Sequence, residues 1–211
     1  FSGLSELEQH GKLVLDAVEM ETILRRPTVA SDVERIGAFV GGKRVLVTGG
    51  AGSIGRMLVK RSLQLGAEAV LIADNSEFGI FQLSQYIDEK DHDRLKVRIV
   101  DVADRRQIMR VVTEFRPDII FHAAALKHVP LLEENWDSAI QTNVFGTVVC
   151  AEVAAKCGVS QFVMVSSDKA VDPTSVLGMT KRAAEQIVSA LHGAPASEPG
   201  GRRSATKFIA V

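Results

Sequence analysis

Lys43–Leu58 reads KRVLVTGGAGSIGRML. An apolar, β-branched run ending at Thr48 passes directly into a turn with glycine at 49, 52 and 55, and then into a helical pattern. The spacing has a physical meaning. Gly49 allows a tight turn, Gly52 lets a pyrophosphate approach the backbone, and Gly55 lets the helix pack closely on the strand. The first amides of a helix lack intrahelical partners and sit at its positive end, so Ser53 and Ile54 offer N–H groups to the same phosphates. A glycine turn alone can be no more than a turn, and the surrounding pattern decides.

Apolar runs recur at Arg44–Thr48, Ala69–Ala73, Leu95–Val100, Asp118–Phe121, Phe162–Val165 and Lys207–Val211. Each is short and nearly continuous in Val, Ile, Leu and Phe, as expected of strands buried on both faces. Helical patterns lie between them at Ser53–Leu65, near Phe78–Glu89, at Arg105–Phe115, along Leu131–Cys157 and at Ser175–Leu191. This alternation predicts an α/β fold, a doubly wound parallel Rossmann sheet over residues 43–211 in the order 3-2-1-4-5-6, with helices on both faces. In the first helix, Ile54, Met57, Leu58, Arg61, Ser62 and Leu65 form the stripe expected to face the sheet. Residues 1–42 read as a helical lead-in, with Ser5/Glu8 and Ser31/Glu34 at capping-box spacing and Pro27 between the two segments. HGAPASEPGGRRSAT, residues 192–206, is expected to be a mobile loop.

The ends of the other strands carry matching signals. Asp74 falls roughly 20 residues past Gly55, where an acid hydrogen-bonds a ribose 2′-hydroxyl and repels a 2′-phosphate. That favours NAD over NADP, while Arg56 beside the glycines tempers the preference. Asp101 and Val102, in VDVAD, are placed to flank an adenine ring, and the small Ala123, Ala124 and Ala125 let a ligand lie against the backbone. Each is an ordinary strand-end turn by itself; together they trace one dinucleotide along one sheet edge.

Composition excludes several classes. The 211 residues are 46% hydrophobic and 24% charged, with a net charge of −1, so no whole-chain field draws nucleic acid or an anionic membrane. The pairs Arg25/Arg26, Arg105/Arg106 and Arg202/Arg203 are isolated and read as solvated faces. Cys150 and Cys157 fall on one helical face too far apart to bridge, and are expected to be buried, reduced thiols. No apolar run reaches about 18 residues, so no segment spans a bilayer. His122 and His128 lack further ligands, and no metal site is expected.

Three longer segments, HAAALKHVPLLEENW, QTNVFGT and VSSDKAVDPTSVLGMTKRAAE, are similar to extended short-chain dehydrogenase/reductases. Within that superfamily they resemble the capsule-type polysaccharide-biosynthesis branch, which includes the UDP-N-acetylglucosamine 4,6-dehydratases. The resemblance covers residues 43–211. It implies that the fifth strand delivers Ser167, Asp168 and Lys169 as catalytic residues, with Lys181 on the following helix. Lys181 would anchor the nicotinamide ribose. Four residues before it, on the same helix face, the superfamily carries Tyr and this branch often Met. Here that position is Leu177; Met179 points to a different face. With no phenol, acid–base work falls to Ser167, Asp168 and Lys169.

The implied reaction removes hydride from C4 of the sugar to NAD, eliminates water across C5 and C6, and returns hydride to C6. Lys169 is then the C5 base, Asp168 the acid assisting departure of water, and Ser167 the hydrogen-bond donor to the C4 oxygen. Lys127 and His128 resemble residues near the substrate, though a solvated loop reads equally from the sequence. Asn143 matches a family position on the long helix, either near the substrate or bonded to a backbone carbonyl that shapes the site. The resemblance further implies a smaller lobe after residue 211 that grips a UDP-amino sugar, leaving these residues to hold the cofactor without turnover of their own. A chain beginning at Phe1 is expected to be part of a longer protein. Its parent is expected to be anchored in the inner membrane, with this portion cytoplasmic. Homo-oligomers through helices 131–157 and 175–191 are the family habit. Two other functions compete: a nucleotide-sugar 4-epimerase, which needs no C5 base, and a non-catalytic dinucleotide-binding module.

Overall fold

A computed structural model describes residues 33–192 and 206–211 of the chain. The elements run α1 (Val33–Val40), β1 (Arg44–Thr48), α2 (Ser53–Gln64), β2 (Ala69–Asp74), α3 (Glu77–Ser84), a 3₁₀ segment (Glu89–Arg94), β3 (Leu95–Ile99), α4 (Arg105–Phe115) and β4 (Ile119–His122). They continue with α5 (Val129–Glu134), α6 (Trp136–Ala139), a π-helical segment (Ile140–Phe145), α7 (Gly146–Lys156), β5 (Gln161–Met164), a 3₁₀ turn (Asp168–Ala170), α8 (Val176–Leu191) and β6 (Lys207–Ala210). The six strands form one parallel sheet in the order β3-β2-β1-β4-β5-β6, as the alternation of apolar runs and helical patterns predicts.

Strand residues alternate between two cores because successive side chains leave a strand on opposite faces. Leu46, Leu71, Ile120, Phe162 and Met164 pack with Ile108, Val111 and Phe115 of α4, Val149 and Val153 of α7, and Val188 of α8. Val45, Val47, Val70, Ile72 and Ile119 pack on the other face with Val59 and Leu63 of α2 and Ile80 and Leu83 of α3. The central strands are therefore apolar through their middles, with polar residues such as Arg44, Thr48 and His122 only at their ends. β3 departs from this: Lys96, Val97, Arg98 and Ile99 are exposed. It lies at the sheet edge, where charged residues blunt pairing with other chains.

Several expected elements are corrected. The face of α2 that turns inward is Gly55, Val59, Ser62 and Leu63, whereas Ile54, Met57 and Arg61 are exposed. Gly55 sets this rotation, because a side chain there would collide with the Gly49 carbonyl. The helix expected near 78–89 ends at Ser84 and is followed by the 3₁₀ segment. The long helix expected over 131–157 is broken into α5, α6, the π segment and α7. Cys150 is buried, with its thiol pushed up to about 12 by burial, but Cys157 at the end of α7 is exposed; both are free. Ser5, Glu8, Pro27, Ser31 and residues 193–205 lie outside the described residues. Among the described residues, no helix is long and apolar enough to cross a membrane.

Candidate active site

The carboxyl edge of the sheet carries a cleft of about 380 Å³. Gly49 and Gly52 form its floor, Asp74 and Arg56 one side, Asp101 and Val102 the far wall, and Ala123, Ala124 and Ala125 the other side. These are the residues that the sequence assigns to a dinucleotide. Gly49 has φ +68°, and a Cβ there would lie 2.5 Å from backbone atoms of Ala124. The β1–α2 turn and the β4 exit are therefore pressed backbone to backbone. At Gly52 a Cβ would meet only the Gly49 carbonyl, at 3.2 Å, and would otherwise enter the open cleft. A cradle that stays open only without a side chain fits a pyrophosphate approaching the N-terminus of α2. Gly55 is buried beneath the turn rather than lining the cleft, and the Ile54 side chain faces outward. Ser53 is exposed, with its hydroxyl 3.5 Å from Lys127 Nζ.

Asp74 does more than face a ribose. Its Oδ2 accepts from the Ala51 amide and its Oδ1 from the Ser76 amide, each at 2.9 Å, tying the glycine turn to the β2–α3 loop. Arg56 donates from Nε to the Ala51 carbonyl at 2.8 Å. Phe78, Gln82, Leu126 and Thr142 also line the cleft. Their sequence signal is weak, since only the closing of α3 and the π segment over the sheet edge brings them there.

A second cluster stands where β5 ends. Ser167 caps the 3₁₀ turn, accepting from the Lys169 amide at 3.3 Å and donating to Asp168 Oδ1 at 3.1 Å. Lys169 Nζ donates to the same Oδ1 at 3.1 Å. These bonds, with the Lys169 charge, hold the Asp168 carboxyl below the usual carboxylate range. Asp168 is thus an ionised acceptor at neutral pH as it stands, and acting as an acid requires the Lys169 bond to be given up. Gly178 of α8 brings the helix against this turn; a Cβ on it would collide with the Lys169 carbonyl. Ser175 caps α8 by accepting from the Gly178 amide at 3.1 Å.

Lys181 and Leu177 share the buried face of α8, as their four-residue spacing predicts. Leu177 packs with Leu132 and Ala139. Lys181 does not line the dinucleotide cleft; its Nζ donates to the Val165 carbonyl at 2.6 Å. Burial brings its ammonium down to about 8, and the Glu185 carboxylate pulls the other way.

Lys127 and His128 are exposed at the end of the loop into α5, with His128 at the N-cap of that helix. Asn143 is buried in the π segment, where Oδ1 accepts from the Leu126 amide at 2.8 Å. Its Nδ2 donates to the Leu126 carbonyl and to Thr180 Oγ1, each at 3.1 Å. Its amide therefore shapes the loop and is closed off from a ligand. Sequence reasoning missed the buried chain behind it. Thr147 donates to the Asn143 carbonyl at 2.7 Å and so accepts from His122 Nε2 at 3.0 Å, leaving Nδ1 to accept from Thr48 Oγ1 at 2.7 Å. Burial and the nearby Lys181 charge lower His122 to about 3, keeping it neutral. Among the described residues, no group of three or more His, Cys, Asp or Glu is arranged to hold a metal.

Comparison with known proteins agrees with this geometry. The sequence profile described as "Polysaccharide biosynthesis protein" matches residues 45–211. The capsular polysaccharide biosynthesis protein CapD of Staphylococcus aureus is 37% identical over 199 residues, covering 93% of this chain and 32% of that protein. A UDP-N-acetylglucosamine 4,6-dehydratase (inverting) of Campylobacter jejuni is 31% identical over 147 residues, 69% of this chain and 42% of the enzyme. Among solved structures, UDP-glucose 4-epimerase of Thermus thermophilus in complex with NAD superposes with a TM-score of 0.61 at 28% identity, covering 70% of this chain and 50% of the epimerase. The chain spans less than half the length of the two sequence relatives. Profile, relatives and sheet order agree that the chain belongs to the polysaccharide biosynthesis protein family, within the extended short-chain dehydrogenase/reductase superfamily.

Proposed function

We propose that these residues are the NAD-binding part of a nucleotide-sugar 4,6-dehydratase that acts on UDP-N-acetylglucosamine in surface polysaccharide biosynthesis. The observation that carries this reading is the Ser167–Asp168–Lys169 cluster at the end of β5, beside an α8 that bears Leu177 and no phenol. A transfer that returns hydride to C4 needs no base at C5, whereas elimination needs both a base and an acid. NAD is favoured because Asp74 lines the cleft, and an acidic residue at that strand end disfavours a 2′-phosphate.

A nicotinamide held along the cleft by Gly49, Gly52 and Asp74 would supply the hydride acceptor for C4 of the sugar and the hydride donor for C6. The resulting ketone at C4 acidifies the C5 hydrogen. Lys169 Nζ, once unprotonated, takes that proton, and the electron pair forms the C5–C6 double bond as the C6 hydroxyl departs. Asp168, having first taken a proton from Lys169 along their hydrogen bond, supplies the proton that makes the leaving group water. Ser167 donates to the C4 oxygen, and Lys181 contributes positive charge behind the β5 exit. As hydride reaches C6, the Lys169 ammonium returns a proton to C5, and the proton shed by the C4 hydroxyl on oxidation replaces the one Asp168 gave up, so loss of one water is the net change and the cofactor is not consumed.

The 4-epimerase reading is favoured by likeness to epimerases in both sequence and structure, the Thermus enzyme among them. Mass spectrometry separates the two. Incubation of the native full-length polypeptide with UDP-N-acetylglucosamine is expected to give a product lighter by one water; unchanged mass with an altered C4 configuration supports the epimerase. Lys169→Ala is expected to lower water loss by about 10²–10⁴-fold with NAD affinity unchanged. Unchanged turnover removes Lys169 from the mechanism.

A further inference from the structure

We propose that Glu185 is a positioning residue that holds the exit of β5 in register with α8 and sets a countercharge one helical turn from Lys181. The reasoning starts from helix spacing. Lys181 and Glu185 lie one turn apart on α8 and so face the same neighbour. That neighbour is a pair of consecutive residues: Lys181 Nζ donates to the Val165 carbonyl, and Ser166 Oγ donates to Glu185 Oε1, both at 2.6 Å. The backbone of the same pair is held from the sheet, with the Val165 amide on the His122 carbonyl at 2.9 Å and the Ser166 amide on the Val211 carbonyl at 2.6 Å. Ser167, Asp168 and Lys169 follow at once, so their position is inherited from this four-point clamp.

The electrostatics require an anion here. Lys181 is 6% exposed, and a buried ammonium is costly without a countercharge. The charged or titratable groups that act on it are Glu185 from α8 and His122 from β4, and His122 is neutral. Glu185 has both oxygens engaged, Oε1 by Ser166 and Oε2 by Arg182 at 3.0 Å. The Arg182 pair is an exposed i,i+3 contact of the kind that contributes little by itself. The inward bond to Ser166 and the field on Lys181 distinguish Glu185 from an ordinary surface acid.

The effect on Ser167–Lys169 chemistry rests on the dehydratase reading, but the effect on Lys181 does not. The test is therefore the Lys181 titration itself, followed by NMR of isotopically labelled lysine in the native polypeptide and assigned with Lys181→Arg. Glu185→Gln keeps an oxygen for Ser166 and removes the charge. It is expected to lower the Lys181 midpoint by about one pH unit, and to move the alkaline limb of water loss down with it. Glu185→Asp keeps the charge and is expected to restore the midpoint while leaving Ser166 out of reach. A midpoint that stays in place in Glu185→Gln overturns the proposal. Should Glu185→Gln fail to fold, a lowered midpoint in Glu185→Asp, which keeps the charge, would overturn it equally. A lowered midpoint in a polypeptide that never dehydrates sugar supports the proposal and sinks the dehydratase reading instead.

Discussion

The carbonyl oxygen of Lys169 occupies the space that any side chain on Gly178 would need. This one approach couples α8 to the 3₁₀ turn carrying Asp168 and Lys169. Gly178→Ala must push the turn away from the helix, at a cost of about 1–3 kcal/mol. Denaturant unfolding is expected to register that loss, and water loss is expected to fall further than the stability change explains.

The glycine turn separates fold from ligand. Gly49 has positive φ and backbone contact with Ala123 and Ala124, so Gly49→Ala is expected to cost at least about 2 kcal/mol. Gly52 has φ −72° and opens on the cleft. Gly52→Ala is expected to stay within about 1 kcal/mol of wild type yet weaken NAD roughly tenfold or more. Calorimetric NAD titration beside thermal unfolding checks both; equal loss of stability in the two variants would contradict the assignment.

His122 makes stability depend on acid. Its folded value, about 3, lies below the unfolded 6.5, so between those limits the unfolded chain binds the extra proton. Stability is complete above the unfolded value and is lost as pH falls toward 3, by about 1.4 kcal/mol per pH unit. Asp104 and Asp168 are also lowered, and their loss on acidification adds to the slope. The difference between wild type and His122→Gln, which retains a donor for Thr147, isolates the histidine. Parallel acid-unfolding curves for the two proteins would refute the neutral His122.

The two thiols should react unequally. Cys157 is exposed and Cys150 buried with a raised pKa. A thiol reagent is expected to label Cys157 within minutes and Cys150 only in denaturant. Rapid labelling of both would mean that the α7–sheet core opens readily.

Much of the dinucleotide cleft is legible in the sequence because each contributor stands at a strand end. Asp74, Asp101 and Ala123–Ala125 follow apolar runs, and a parallel sheet brings every such end to one edge. The rotation of α2 is not legible in the sequence, since hydrophobicity nominates Ile54 and Met57 while the close approach of Gly55 to Gly49 outweighs them. The breaks in the long helix are hidden for a related reason. The apolar pattern of 131–157 is continuous, but Asn143 binds both polar groups of the Leu126 backbone within a π segment.

The strand count, the sheet order and the glycine cradle follow from the sequence alone, because they depend on periodicity, turn chemistry and spacing along one chain, whereas the Ser167–Asp168–Lys169 run stands out only through the family resemblance. The tertiary structure decided what depends on partners distant in sequence. It paired Asp74 with the Ala51 amide, closed His122 between Thr48 and Thr147, turned Lys181 to Val165, and set Glu185 on Ser166. Each joins residues on different elements, and burial gives those bonds their strength by excluding the competing water.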